Sequence, residues 1–335
     1  MKILIFGAGG IGSVVGGFLA RMGHDVTLLG RAWHLDAIRK NGLVITGIWG
    51  EYRIKAFDLF TDAGGLQKTN PEFDLIVLTV KSYDTERALE EISPLMKVKT
   101  TLLSLQNGLG NIETILKTLS AEQLLVGRVI FGVETQPGVA RVTVIADDTV
   151  IGPAPGAKPK NLSAEQVAHL FSLAKIPTRP AKHILPFIWA KVIYNCALNG
   201  ICSIHEMPYG KILENPETKS WMEMIIRECY AVGSKKGIAL DPPTADEFID
   251  RMIKKLIPST ASHHPSMLQD LRRGRQIDID ALNDAICRLG KELNVSTPMN
   301  QQITNKINES IFEHALKKVT DRHDKTFRKL AEEKD

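Results

Sequence analysis

The stretch KILIFGAGGIGSVVGGFLARMG, residues 2–23, decides how the rest of the chain is read. KILIF (2–6) is a short apolar β run. GAGGIG (7–12) is a glycine-spaced turn. IGSVVGGFLARMG (11–23) carries apolar residues at helical spacing and closes on Gly23. A strand, a GxGxxG turn and a helix in that order make a dinucleotide-binding fingerprint. In that arrangement Gly7 permits the tight turn and Gly9 lets the backbone approach a pyrophosphate. Gly12 lets helix and strand pack closely. The helix N-terminus faces the phosphates with amides and the positive end of its dipole. The expected cofactor contacts in the loop are Gly7, Ala8, Gly9, Gly10, Ile11 and Gly12.

The next strand, DVTLLG (25–30), selects the cofactor. An NAD site usually places a carboxylate at this strand end to accept from the ribose hydroxyls. Here the strand ends in LLGR, and Arg31 stands where a 2′-phosphate would lie. A guanidinium binds that dianion through paired, charge-assisted hydrogen bonds, so NADPH is expected. FDLIVLTVK (73–81) and TTLLSLQNG (100–108) are too apolar to alternate and read as strands buried on both faces. Lys81 and Asn107 follow these runs, and ligands bind beyond the carboxyl ends of parallel strands. Lys81 suits a cofactor phosphate or ribose, or a substrate carboxylate. Asn107 lies in QNG, which alone is a common turn signal.

Strands alternating with helices imply an α/β, Rossmann-type parallel sheet with helices on both sides. The β-rich runs 124–134 and 139–152 lack an intervening helix and are expected to pair antiparallel at the sheet edge. APGAKPKN (154–161) is a loop, and SAEQ (163–166) offers a capping box for a helix through Ala174. After about residue 182 strand runs disappear and helical periodicity takes over. Two domains are expected, 1–182 for NADP binding and 183–335 as an all-helical substrate and dimerisation domain. The tail from about Glu313 mixes charges of both signs and reads as a solvated or frayed helix end.

The 335 residues exceed the usual size of one core. A hydrophobic fraction of 44%, 24% charged residues and a net charge of +4 describe an ordinary globular protein. That charge, without a basic cluster, argues for no nucleic-acid partner, although it suits an anionic small ligand. The four cysteines have neither zinc-knuckle nor CxxC spacing, so buried free thiols are expected. The N-terminal apolar run is too short and glycine-rich for a signal peptide. No run of 18 apolar residues exists, so no membrane partner and a cytoplasmic location are expected. His263 and His264 lie in a polar loop without further ligands at convincing spacing, and no metal is expected.

FIWAKVIYNCALNG (187–200) places Lys191, Asn195 and Asn199 four residues apart. On a helix they form one polar stripe. Spacing alone fits two readings. One is a lysine snorkelling from a core helix, with asparagines near its end. The other is a proton donor for a ketone reduced by hydride, oriented by two amides.

Several segments carry a family resemblance: GAGGIG with Arg31, VKSYDT (80–85), LQNG (105–108), WAKVIYNCALN (189–199), HPSMLQDLRRGR (264–275) and IDIDALND (277–284). In order and approximate spacing the chain resembles the 2-dehydropantoate 2-reductases, or ketopantoate reductases, from Met1 to about Leu316. The lysine–asparagine helix and the SM…R…D block are the specific parts. The resemblance implies a Rossmann domain followed by a helical domain like that of 6-phosphogluconate dehydrogenase. It implies NADPH-dependent reduction of 2-dehydropantoate to (R)-pantoate, a step toward coenzyme A. It assigns Lys191 as general acid, with Asp278 beside it in the catalytic set. It assigns Asn107, Asn195, Asn199 and Ser266 to the substrate, and Lys81 and Asn107 to the nicotinamide region.

The chain departs from the family pattern in three places. Asp278 stands where the family usually has glutamate, on a helix expected over 277–290. GICSI follows Asn199, and Asp284 replaces a glycine. These departures leave the reductase chemistry standing and open the substrate to other 2-oxo acids. A protein that only sensed NADP(H) would tolerate loss of Lys191, which separates that alternative from an enzyme. A helical second domain can build a homodimer.

Overall fold

Strand β1 (Lys2–Phe6) is buried from Ile3 onward because it lies inside a sheet, parallel to β2 (Asp25–Leu29) on one side and β6 (Leu75–Leu78) on the other. That position explains its unbroken apolar reading. The structure is a computed structural model describing residues 1–313, so the charged tail beyond Glu313 lies outside the described residues. The chain divides into two units, Met1–Val192 and Ile193–Asp335.

The first unit is built on eight strands. With β5 (Asp58–Phe60), β7 (Thr101–Ser104), β8 (Leu124–Arg128), β11 (Thr149–Pro153) and β12 (Thr178–Pro180), their order is β12-β11-β8-β7-β6-β1-β2-β5. The six from β5 to β8 are all parallel. Their succession in the chain is that of the dinucleotide-binding fold, with the reversal of direction falling between β1 and β6. The helices α1 (Gly10–Arg21), α2 (Ala32–Asn41), α3 (Ala63–Lys68), α4 (Thr85–Ile92), α5 (Asn111–Leu116) and α6 (Ala164–Leu173) connect these strands. Helix α6 starts on the expected capping box of Ser163 and Gln166.

The edge pairing differs from the sequence reading. β8 and β11 do pair antiparallel. Each long β run, however, breaks in two. The residues between them, β9 (Phe131–Gln136) and β10 (Val139–Ile145), leave as a hairpin. They join β3 (Leu43–Gly47) and β4 (Tyr52–Ile54) in a separate sheet of order β4-β3-β10-β9. LVITGIWGEYRI (43–54) held a signal for the β3–β4 hairpin in its β-branched run and paired glycines. The small sheet covers α1. A methyl on Gly17 would come within 2.6 Å of Ile45 Cδ1. Phe18, 1% exposed, meets Trp49 and Tyr52 edge-on at 5.8 and 5.4 Å. The helix is glycine-rich because it is packed on two sides.

Helix α7 (Leu185–Ile204) runs through the division between the units. It has the length and mean hydropathy of a membrane span, but 67% of that stretch is buried inside the protein. Its apolar character is that of a core helix. The second unit continues with α8 (Pro216–Lys235), α9 (Ala245–Arg251), a π-helical turn (Met252–Leu256), α10 (Ile257–Ser259), α11 (Ser266–Arg272), α12 (Asn283–Leu293) and a helix from residue 298. Cys196, Ile225, Ile226, Cys229, Ile286 and Ile303 are fully buried in its core. All four cysteines are free and buried. Burial pushes the Cys202 thiol up to about 12, which keeps it protonated and unreactive.

Candidate functional site

The glycine loop is shaped by its own backbone. Gly7 has φ +107°, a conformation closed to most side chains. A methyl on Gly12 would lie 2.5 Å from the Gly7 carbonyl and 2.7 Å from Thr79 Oγ1. Above Gly9 the space is open, with nothing nearer such a methyl than the Gly7 oxygen at 3.9 Å. The amides of Gly7 and Ala8 both donate to the Leu29 carbonyl, at 3.0 and 2.8 Å, and that of Gly9 to the Gly7 carbonyl. Those three amides brace the loop. The donors of Gly10, Ile11 and Gly12 fall in the first turn of α1, where no intrahelical acceptor exists. They form the end that suits a pyrophosphate.

The ends of β1, β2 and β6 meet at this loop. A methyl on Gly30 would touch Ala8 Cβ at 2.9 Å, so the turn carrying exposed Arg31 lies against the loop. Thr79 donates from its hydroxyl to the Gly7 carbonyl at 2.7 Å. Lys81, two residues further on, is half-buried. This is the switch point of the sheet, where ligands of this architecture bind.

Next to it a polar network holds Asn107. Its backbone carbonyl accepts from Ser82 Oγ at 2.7 Å and from Asn111 Nδ2 at 2.8 Å. Gln106 donates to Thr85 Oγ1 at 2.7 Å, and Thr85 also lies 3.0 Å from Asn111 Oδ1. With its carbonyl doubly bonded, Asn107 projects its amide oxygen toward α7, where it accepts from Lys191 Nζ. The ammonium and the QNG turn are 84 residues apart in the chain and meet at the carboxyl end of β7. Ser82 and Asn111 were not singled out from the sequence. Ser82 stands inside VKSYDT, which was the available signal.

In the second unit, Asn195 and Asn199 are 9% and 5% exposed on the same face of α7. Asn199 Oδ1 accepts from the Tyr209 hydroxyl at 2.6 Å. Tyr209 packs edge-on against Tyr194 at 5.8 Å, and burial raises its pKa, so it stays a donor. Tyr194 is pushed up to about 12 by burial and bonds Thr260 at 2.8 Å. Tyr209 is a supporting residue that the sequence did not reveal. Ser266 is exposed at the start of α11. Asp278 is 7% exposed. It does not lie on a helix over 277–290. Leu282, at φ −114° and ψ −109°, breaks the helical path, and α12 begins only at Asn283. Asp278 therefore precedes a single 3₁₀ turn, Ile279–Ala281. Among the described residues no group of three His, Cys, Asp or Glu side chains is placed to hold a metal ion.

Comparison with known proteins identifies the family of this fold. The profile of the ketopantoate reductase PanE/ApbA family matches residues 3–156, and that of its C-terminal region matches residues 183–310. The chain is 38% identical to the 2-dehydropantoate 2-reductase of Aquifex aeolicus over 310 residues, covering 92% of this chain and 96% of the relative. A PanE/ApbA family ketopantoate reductase from Ralstonia eutropha superposes with a TM-score of 0.82 at 30% identity, over 94% of this chain and 100% of that one. A D-mandelate dehydrogenase solved with NADH and anilino(oxo)acetate superposes at 0.83 with 26% identity, over 94% and 99%.

Proposed function

This chain belongs to the ketopantoate reductase PanE/ApbA family, and we propose that it reduces 2-dehydropantoate to (R)-pantoate with NADPH. The loop residues fit the cofactor: open space above Gly9, first-turn donors at Gly10, Ile11 and Gly12, and Arg31 against the loop. Arg31 pairs with the 2′-phosphate, and Lys81 and Asn107 line the nicotinamide region. When bound, NADPH supplies the hydride.

The protein supplies the proton and the orientation. As the ketone carbon is reduced, negative charge develops on its oxygen. Lys191 Nζ gives that oxygen a proton and the ammonium becomes an amine. The observation that carries this reading is the bond from Lys191 Nζ to Asn107 Oδ1. It holds an ammonium beside the strand ends where the dinucleotide fold binds its ligand. Asn107 can only accept through that oxygen, so it fixes the ammonium without taking its proton. Asn195, Asn199 and Ser266 bind the 2-oxo acid through neutral hydrogen bonds, which do not compete with Lys191 as a strong ion pair would. Asp278 accepts from a substrate hydroxyl or tunes the lysine.

The same proposal assigns residues 1–182 to NADP binding and 183–335 to substrate and to a homodimer, in the cytoplasm. A second reading is favoured by Asp278, one methylene shorter than the family's glutamate, and by the likeness to D-mandelate dehydrogenase. It is reduction of a different 2-oxo acid by the same chemistry. A panel of 2-dehydropantoate and other 2-oxo acids, each mixed with NADPH or NADH and followed by loss of nicotinamide absorbance, separates the two. The expected result is fastest NADPH oxidation with 2-dehydropantoate. Faster turnover of an acid lacking the hydroxyl establishes the second reading, and no turnover of any 2-oxo acid overturns both.

A further inference from the structure

His34 lies on α2, is 1% exposed, and its ring reaches two other parts of the first unit. The Gly138 amide donates to His34 Nδ1 at 3.1 Å. Nδ1 also lies 3.2 Å from the Gln136 carbonyl, so the ring meets both a donor and an acceptor on the hairpin turn. Nε2 in turn shares a hydrogen bond with Ser13 Oγ at 2.9 Å. Ser13 is fully buried on α1. Its hydroxyl oxygen also lies 3.5 Å from the Ala8 carbonyl inside the glycine loop. A continuous path of polar contacts runs from the β9–β10 turn through His34 and Ser13 to that loop.

Both ends of the path are fixed by other contacts. The Gly138 carbonyl accepts from Val44 at 2.9 Å, and a methyl on Gly138 would meet Ala37 Cβ at 3.1 Å. The hairpin also reaches the loop directly. A methyl on Gly10 would come within 2.9 Å of Thr135 Oγ1 and 3.1 Å of Val133 Cβ. Gly10 is one of the residues whose amide lies in the first turn of α1. The small sheet thus presses on the anion-binding turn, and His34 ties the tip of its hairpin to the interior of that turn.

We propose that His34, acting through Ser13, is a positioning residue for the dinucleotide: it fixes the glycine loop against the β9–β10 hairpin so that the loop is formed before the cofactor arrives. The proposal rests on the reading that Gly7–Gly12 binds NADPH. A loop already ordered pays no ordering cost on binding, so the residue acts on affinity and leaves the chemical step alone. Leucine at this position fills the volume but removes the ring partner of Ser13 and leaves the Gly138 amide without its buried acceptor. Glutamine can donate and accept at its two ends and restores both bonds.

The test is titration of the full-length protein with NADP+, followed by calorimetry, for wild type, His34→Leu, His34→Gln, Ser13→Ala and the His34→Leu/Ser13→Ala pair. His34→Leu and Ser13→Ala are each expected to weaken binding about tenfold, the size of one buried hydrogen bond. The pair loses no more than the worse single change, because both cut one path. His34→Gln recovers to within about threefold of wild type, and kcat at saturating NADPH stays within about twofold throughout. Wild-type affinity in Ser13→Ala overturns the path, and so do losses that multiply in the pair. The Ser13→Ala and His34→Gln arms decide the question if His34→Leu does not fold. Wild-type protein that binds no NADP+ overturns the cofactor reading and this proposal together. Wild-type binding with unaltered variants overturns this proposal alone.

Discussion

The glycine loop and the polar stripe of α7 are built on opposite principles. The loop is made of backbone: its shape comes from φ at Gly7, from the lack of a side chain at Gly12, and from amides that donate to Leu29 and Gly7. The stripe is made of side chains, and two of them depend on a partner elsewhere. Lys191 is held by Asn107, Asn107 by Ser82 and Asn111, and Asn199 by Tyr209. A backbone site is specified by a few adjacent residues, because the steric demand on each glycine is local. A side-chain site is specified only when distant segments are brought together. The two regions should therefore fail differently when altered.

The largest effect is expected at the stripe. Lys191→Ala removes the proposed proton donor, and kcat with NADPH and 2-dehydropantoate should fall by about two orders of magnitude or more. NADP+ affinity should remain, because the loop does not depend on α7. Steady-state rates and NADP+ titration on one preparation check both halves. Turnover that survives the change would sink the lysine assignment, and lost NADP+ binding would show that the two regions are not independent. A smaller effect is expected at the loop's edge. Arg31→Asp exchanges the guanidinium proposed to bind the 2′-phosphate for a carboxylate of the kind that accepts from ribose hydroxyls. The ratio of kcat/KM for NADPH over NADH should drop by about tenfold or more, consistent with loss of a charge-assisted pair. Indifference of that ratio would remove Arg31 from the cofactor site.

The smallest effect is a dependence on pH. Burial lowers the His34 pKa below its ordinary 6.5, although the Gln136 carbonyl, 3.2 Å from Nδ1, favours the protonated ring. The unfolded chain therefore takes up this proton more readily than the folded one. The stabilisation is fully present above pH 6.5 and is lost as pH falls through the folded value. On acidification from neutrality, the thermal midpoint of wild type should fall further than that of His34→Gln, measured side by side. Parallel falls would mean that the ring is not held neutral by its surroundings.

Much of this was legible before any coordinates. β1 and the glycine turn follow from 22 residues read in order, and the capping box of α6 stands where SAEQ placed it. The run 124–134 is continuous in β character, although it serves two sheets. Nothing local distinguishes Arg128, the last residue of β8, from Phe131, the first of β9. The break comes from α1, which needs a cover for its second face. Asp278 likewise looked helical because 277–290 has helical periodicity, and only the backbone at Leu282 shows where α12 begins.

By itself the sequence determined the glycine turn after β1, the place of Arg31 just past the end of β2 and the four-residue spacing of Lys191, Asn195 and Asn199, since each depends on short-range geometry along one element. Only the tertiary structure decided which groups hold them: Asn107 on Lys191, Tyr209 on Asn199, and His34 and Ser13 behind the loop. Those partners are neutral polar residues with many uses in a sequence. Burial beside a particular donor or acceptor is what gives each one its role.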